Sequence, residues 1–509
     1  SHPSPPLAIP PFSRSFPLLM ISFASVLFFC TAINGLLIGH GKGDSTGPAA
    51  ECGMMGYVNP TQISAGLQSR SHVRSVLVCD EAKLKWSLFR PSVASQDHGD
   101  DAVEVVESAA SSRPCFMYST VEAAMVFNEA KANALVAYAA SDCSDIELGQ
   151  ENVLTQGTHT HSAAGGFTSF AMYDVTTAGF RPQTMNALVD ALVDSWCKAA
   201  ADVATQKAGS AVLSVATTEV LNASISRSAY AYAANPADER ALYKYDTDKN
   251  MTQLTISRGD GSGYLVMNWF ATHGTSFNNT NRLLSSDNKG YASYVLEEYG
   301  HNVTMALFSN ANEGDVSPNV LGAFCGNPAT GAKPCESVHS TCNGRSEGCT
   351  SWGPGRNMYE SAVIIGQRQA DAAVGLLSTF EQSKIPSSTY GLRYVHQFVD
   401  FGAGYDVSAE FTGTGAPGRT CSGALGDATA AGTTDGPGAF NFRQGTNSTT
   451  DNPFWNFIAH MLHRPNATQV ACQHPKPILL DTQSMPIPGP WTASIMPVQL
   501  VSYAPSLVI

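Results

Sequence analysis

The chain is short of charge, and shortest of positive charge. Only 14% of its 509 residues are charged, and 29 Lys and Arg stand against 42 Asp and Glu, a formal net charge of −13. A negative surface repels phosphate, which argues against nucleic acid as a partner. It leaves a neutral lipid open, since a lipid needs an apolar groove rather than charge. With 43% hydrophobic residues the chain reads as globular rather than disordered. Its length suffices for a large core and for several domain-sized units. No internal repeat is present. One apolar run, Phe16–Ile38 (FPLLMISFASVLFFCTAINGLLI), follows Arg14. It reads as a signal peptide or signal anchor, with a buried core segment as the alternative. No second run of about 20 apolar residues follows, which argues against a multi-pass membrane protein.

Two further signatures are missing. A Gly-x-Ser-x-Gly pattern surrounds Ser45 and Ser346, but neither serine follows a strand and leads into a helix, as a nucleophile elbow requires. There is no CxxC pair among Cys325, Cys335, Cys342 and Cys349, which share a Gly/Pro/Ser-rich stretch. A zinc site remains open there, but a disulfide-stapled loop fits the spacing better and implies an oxidising compartment. Sequons at Asn222, Asn250, Asn278, Asn302, Asn447 and Asn466 agree with a secreted glycoprotein, or one on the outer face of the membrane.

What is present is an α/β pattern. Residues 1–34 form a Pro/Ser-rich start plus the apolar segment, and the folded region is expected over 35–509. Helical spacing covers Thr120–Ala140, Pro182–Thr205 and Tyr359–Ser378. Leu188, Leu192, Val193 and Trp196 mark the core face of the second, and Val363, Ile364, Ile365 and Leu376 that of the third. Ser87–Arg113 reads as a surface insertion, and the Gly/Thr/Ala-rich Gly413–Gly445 as loops at a site mouth. Strands alternating with these helices predict a mixed sheet.

Three apolar runs end in polar clusters. Asn152–Gly157 leads into Thr158-His159-Thr160-His161-Ser162. Tyr264–Phe270 leads into Ala271-Thr272-His273-Gly274-Thr275-Ser276. Val303–Phe308 leads into a segment containing Gly314-Asp315-Val316-Ser317-Pro318. Ligands in open α/β sheets bind beyond the carboxyl ends of strands, so three such ends predict one shared site. His159 and His161, two apart, face the same way on extended chain. Such a pair suits zinc, and it equally suits a surface loop. His273 sits among Asn278, Asn279, Thr280 and Asn281, a density of polar groups that needs a ligand or an internal network. Pro318 pushes Ser317 towards extended backbone, and its hydroxyl then reads either as an exposed nucleophile or substrate-hydroxyl partner or as a capping or turn serine. Arg227, before Tyr230 and Tyr232, can clamp a polar substrate group or form a surface salt bridge.

At these residues the chain resembles the neutral/alkaline ceramidase family. The matching stretches are GDSTGPAAECGMMGY from Gly43, GTHTHSAAGGF from Gly157, SISRSAYAYAANP from Ser224 and NWFATHGTSFNNTNRLLSSDNKGYA from Asn268. Then come FSNANEGDVSPN from Phe308, CNGRSEGCTSWGPG from Cys342, AGTTDGPGAF from Ala431 and CQHPKPILLDT from Cys472. The resemblance implies zinc-dependent hydrolysis of the N-acyl amide of ceramide to sphingosine and a fatty acid, with transient contact with the membrane surface that holds the substrate. It implies an α/β zinc hydrolase domain, usually followed by an immunoglobulin-like domain that is absent here. It makes His159 and His273 zinc ligands, His161 a donor to the substrate carbonyl, Arg227 a contact to the reacting region and Ser317 the catalytic serine. It pairs Cys325 with Cys342, Cys335 with Cys349 and Cys421 with Cys472. The chain departs at Ala163-Ala164 (Gly-Pro in the family), Phe277 (Met) and Ser286 (Gly), changes expected to narrow or stiffen the site. The family's two other ligands, a glutamate and a tyrosine, lie beyond the stretch matching Val498–Ile509. The catalytic domain is therefore expected to be incomplete, which keeps a second reading open: an inactive secreted lipid-binding relative, or a fragment that does not fold alone.

Overall fold

The computed structural model describes residues 35–81, 114–206, 210–412, 415–438, 442–447, 452–485, 491–505 and 507–509. The expected surface insertion at Ser87–Arg113 and the first 34 residues lie outside these. Strands of five residues or more are β1 (Leu36–Asp44), β2 (Ala50–Met55), β3 (His72–Asp80), β4 (Cys115–Val121), β5 (Val153–Gly157), β6 (Val212–Glu219), β7 (Asn250–Ser257), β8 (Tyr264–Trp269), β9 (Val303–Ser309), β10 (Arg393–Asp400) and β11 (Ile495–Ala504). Helices of seven residues or more are α1 (Asn128–Ala139), α2 (Pro182–Ala204), α3 (Asp287–Glu298), α4 (Met358–Leu377), α5 (Pro453–Met461) and α6 (Ala467–Gln473).

The expected mixed sheet is two mixed sheets packed face to face. One has the order β1-β3-β4-β5 and the other β9-β8-β7-β6. In each, one parallel pair (β4 with β5, β8 with β9) adjoins antiparallel partners. Strand alternation explains the layering. Val76 and Val78 of β3 point at Leu265 and Met267 of β8 between the sheets, while Leu77 and Cys79 point outwards under α2. On the second sheet Val266 faces out, beneath α3 and α4. Helices thus cover both outer faces, and the central strands are buried on both sides, with a few buried polar groups such as Ser75, Gln253 and Thr255 among the apolar ones.

The helix α2 buries Leu188, Leu192 and Trp196 as the periodicity predicts. It lies directly on β1 because Gly39, Gly41 and Gly43 carry no side chain: a Cβ at each would fall 2.0–2.2 Å from a carbonyl oxygen of α2. The expected helix from Thr120 begins only at Asn128, because Thr120 and Val121 finish β4 in register with β5. On α4, Ile365 and Leu376 are core, but Val363 is 40% exposed, since the helix turns that residue away from the sheet. The last three residues of the Phe16–Ile38 run belong to β1, with Leu36 and Ile38 in the core between the sheets. Among the described residues no helix is long and apolar enough to cross a membrane. Val501 and Tyr503 of β11, which pairs β10, also pack into that core, as does Leu507 on the short strand that folds back against β11.

Five disulfides are present among the described residues. Cys325–Cys342, Cys335–Cys349 and Cys421–Cys472 match the pairing that the resemblance implies. Cys79–Cys115 clips β3 to β4, and Cys143–Cys197 ties the end of α1 to α2. The loop cysteines are thus engaged with one another and not with zinc.

Candidate metal centre

The carboxyl ends of β5, β8 and β9 meet as the sequence predicts. A bridge between Thr160 and Gly274 joins the loop after β5 to the loop after β8, across the two sheets. The His161 amide reinforces it by donating to the Gly274 carbonyl at 2.9 Å. Beneath, the buried Lys289 ammonium of α3 donates to the Phe270 and Ser309 carbonyls at 3.0 and 3.1 Å, locking the ends of β8 and β9 together. Burial pulls its pKa down to about 7.

Three imidazoles converge on this junction. Ring centroids of His159 lie 4.8 Å from His161 and 4.7 Å from His273, and those of His161 and His273 are 5.6 Å apart. One ring nitrogen of each lies within 4.8 Å of the others. The two-residue spacing does not act through extended chain, however. His159 has φ 62°, a left-handed kink, and the kink rather than strand alternation brings its ring round to His161.

The rings differ in their partners. His159 Nδ1 donates to the Ala124 carbonyl, and His273 Nδ1 donates to the Val316 carbonyl at 2.9 Å. A carbonyl partner fixes the proton on Nδ1 and leaves the Nε2 lone pair facing inwards, as metal-ligating histidines are held. His161 has neither ring nitrogen hydrogen-bonded, although both are buried. Burial first, then His159 and His273, pushes His161 well below its ordinary pKa. Burial, Arg227 and His159 do the same to His273. Three converging rings, two with oriented lone pairs and one with orphaned nitrogens, fit a cation.

A second cluster adjoins the rings. Ser317 is fully buried, not an exposed hydroxyl as the sequence suggested. Val316 and Ser317 pair antiparallel with Ser226 and Ile225, which puts Arg227 beside the serine. Ser317 Oγ donates to Asp435 Oδ1 at 2.7 Å and accepts the Asn319 amide at 3.0 Å. The other oxygen of Asp435 accepts from Thr275 Oγ1 at 3.0 Å and from Arg227 Nη1 at 3.3 Å. Arg227 Nη2 reaches His273 Nε2 at 2.8 Å, and Nε is buried without a partner. Arg227 is thus a half-buried joint between the clusters rather than a surface ion pair.

Asp435 is the residue that sequence reasoning missed. It falls in Gly413–Gly445, read only as loops, where a tight turn between Gly432–Thr433 and Gly436–Pro437 drives the carboxylate inwards, and a short helix, Asp427–Ala431, precedes it. An acidic residue inside the quoted stretch AGTTDGPGAF was the available signal. Lys289 was missed in the same way. Of the family departures, Phe277 is buried edge-on against Tyr359 at 5.2 Å, and Ser286 bonds Ser69 at 3.1 Å. Ala163 and Ala164 pair with Met55 and Met54 of β2.

Comparison with known proteins bears on this geometry. The family model for neutral/alkaline non-lysosomal ceramidase, N-terminal, matches residues 36–91 and 103–509. Neutral ceramidase B of Dictyostelium discoideum is 38% identical over 475 residues, covering 91% of this chain and 60% of that protein. The neutral ceramidase of Drosophila melanogaster is 35% identical, covering 94% and 64%. Among solved structures, a ceramidase complexed with C2 superposes with TM-score 0.69 at 30% identity, over 92% of this chain and 62% of that one. The neutral ceramidase of Pseudomonas aeruginosa gives 0.65 at 27% identity, over 92% and 61%. The chain spans about three fifths of the length of these relatives.

Proposed function

Because the chain belongs to the neutral/alkaline ceramidase family, we propose that the protein hydrolyses the N-acyl amide of ceramide to sphingosine and a free fatty acid, with zinc as the metal. The observation that carries this reading is the meeting of three imidazoles, those of His161 and His273 buried and that of His159 half-buried, with the Arg227–Asp435–Ser317 network. His159 and His273, with Nδ1 anchored on carbonyls, are the residues that would hold zinc. Bound zinc would supply Lewis acidity at the amide carbonyl and bring the pKa of a bound water towards ~7.

The remaining roles belong to the chain. His161, free at both nitrogens, can present an N–H to the carbonyl oxygen as charge develops on it. The unpartnered Nε–H of Arg227 points to a polar group of the substrate. Ser317 gives its proton to Asp435 and takes the Asn319 amide, so one lone pair is left to receive a substrate donor. A net charge of −13 is no obstacle to a neutral lipid. Five disulfides support an oxidising compartment, and with it secretion or display on the outer membrane face.

The test is sphingosine release from a fluorescent ceramide, with zinc measured by elemental analysis, before and after chelation. Zinc-loaded protein that releases sphingosine, and loses this on chelation, is the expected result. Folded, zinc-loaded protein that binds ceramide without turnover would instead favour the lipid-binding relative.

A further inference from the structure

The helix α5 is amphipathic the wrong way round. Its apolar residues recur at helical spacing, Phe454, Phe457 and Met461, on one face. That face looks outwards: Phe457 is 62% and Met461 59% exposed, and Leu462 continues the patch. The inward side is held by Ala459, which is buried, and by Trp455, tilted against Phe442 with ring centroids 5.4 Å apart.

Charge around the patch is equally out of character. Residues 452–480 contain no Asp or Glu, but they include Arg464 and Lys476, in a chain of net charge −13. Apolar aromatic residues flanked by cations are the pattern of a helix that lies in a phospholipid interface. The helix is also tied to the site. Trp455 rests on Phe442, and Gln444, two residues on, donates to the Arg227 carbonyl at 3.2 Å and accepts the Tyr230 amide.

We propose that the outward face of α5, built on Phe457 and Met461 with Arg464 beside it, docks the protein on an anionic phospholipid surface. The proposal deepens the ceramidase reading and rests on it, since α5 is joined through Phe442 and Gln444 to the segment that carries Arg227. Its test does not need turnover.

The protein, produced without N-glycans so that a sugar on Asn466 does not decide the result, is sedimented with ceramide-free vesicles. These are of phosphatidylcholine alone or with one third phosphatidylserine. Wild type should partition more strongly onto the anionic vesicles, and added salt should weaken this several-fold. Phe457→Glu/Met461→Glu should cut partitioning at least about tenfold, and Arg464→Glu should abolish the preference for phosphatidylserine. Leu242→Glu, at an exposed apolar residue elsewhere, should change nothing. These residues are exposed, so the variants should melt with wild type. Loss of hydrolysis in vesicles, with a detergent-dispersed short-chain ceramide still cleaved, would extend the result to delivery. Wild type that ignores both vesicle types, or a double variant that binds as wild type does, overturns the proposal. So does a dimer in sedimentation velocity that the double variant dissociates while vesicle binding is absent, for then the face belongs to a second copy.

Discussion

The two halves of the candidate site are satisfied to opposite degrees. On the imidazole side, His161 has two buried ring nitrogens without a partner, and His159 and His273 each have one ring nitrogen taken by a carbonyl. On the hydroxyl side, Asp435 alone accepts from Ser317, Asn319, Thr275, Ser351 and Arg227. A buried polar group without a partner is costly, so the first half is shaped for something it must receive. The second half is a finished frame, and a finished frame positions. Arg227 touches both, with one Nη on Asp435 and the other on His273. A metal on His273 Nε2 therefore competes with Arg227, so ligand uptake on one side can be felt on the other.

The largest effect should come from the receiving half. His273→Ala removes an oriented lone pair and should abolish both zinc binding and turnover, because a site with few protein ligands rarely keeps its metal after losing one. Elemental analysis and the ceramide assay read both at once. Full activity in a zinc-free His273→Ala protein would remove the metal from the reading.

The frame should break differently. Asp435→Asn puts an amide where a double acceptor stood, so Ser317 or Arg227 loses its anchor. Turnover should fall on the order of 10²-fold with zinc content unchanged. Ser317→Ala should show the same split. It should also cost roughly 1–2 kcal/mol of stability, since a buried hydroxyl leaves Asp435 one bond short. Retained zinc with lost turnover separates positioning from binding, whereas joint loss would show one cooperative unit.

Much of this contrast was legible in the sequence, and the reason is local. Histidines that closely follow apolar strands are carried to one edge by the sheets, so strand ends alone predict their meeting, whereas Ser317, eight residues past β9, arrives on a short strand of its own paired with Ile225. The disulfide pairing came through the family likeness and not through spacing. Asp435 was not legible, because its position depends on a turn in a Gly-rich segment more than a hundred residues from Ser317. Ser317 was misjudged as exposed for the same reason, since the cover over it is that distant turn. The His159 kink escaped because left-handed backbone at a non-glycine residue has no dependable sequence signal. The second sheet escaped because alternation reports that a strand face is buried, not what buries it.

A smaller change can sharpen the division between ligand and donor histidines. Gly56 has φ +133°, and a Cβ there would lie 2.4 Å from His161 Cγ. Gly56→Ala should push the His161 ring aside while leaving His159 and His273 in place. Zinc should remain and kcat should fall, by less than the ~10²-fold that losing a donor outright costs. A parallel fall in zinc affinity would instead make His161 a ligand.

The smallest effect is expected in the pH dependence of melting, and it too distinguishes two regions. An unfolded imidazole takes up its proton near pH 6.5. Folded His161 and His273 refuse theirs until well below that, chiefly because they are buried. Below pH 6.5 the unfolded chain therefore binds more protons, so stability falls as pH falls. A second region, where Glu297 of α3 pairs with Arg74 of β3 at 2.6 Å and Lys42 of β1 at 2.8 Å, responds later. Burial would raise Glu297, but Arg74 and then Lys42 outweigh it and hold the carboxyl at about 2. A lowered carboxyl contributes stability that is complete above its unfolded pKa near 4.5 and is lost as pH falls towards 2. Chelated protein should thus show two declines in Tm, one opening below pH 6.5 and one below pH 4.5. His161→Asn should weaken the first and spare the second, while Glu297→Gln, whatever its own cost in stability, should flatten the second. A melting profile level from pH 7 to 5 in the chelated protein would mean that the imidazoles are not held neutral, and the receiving half would lose its main electrostatic argument.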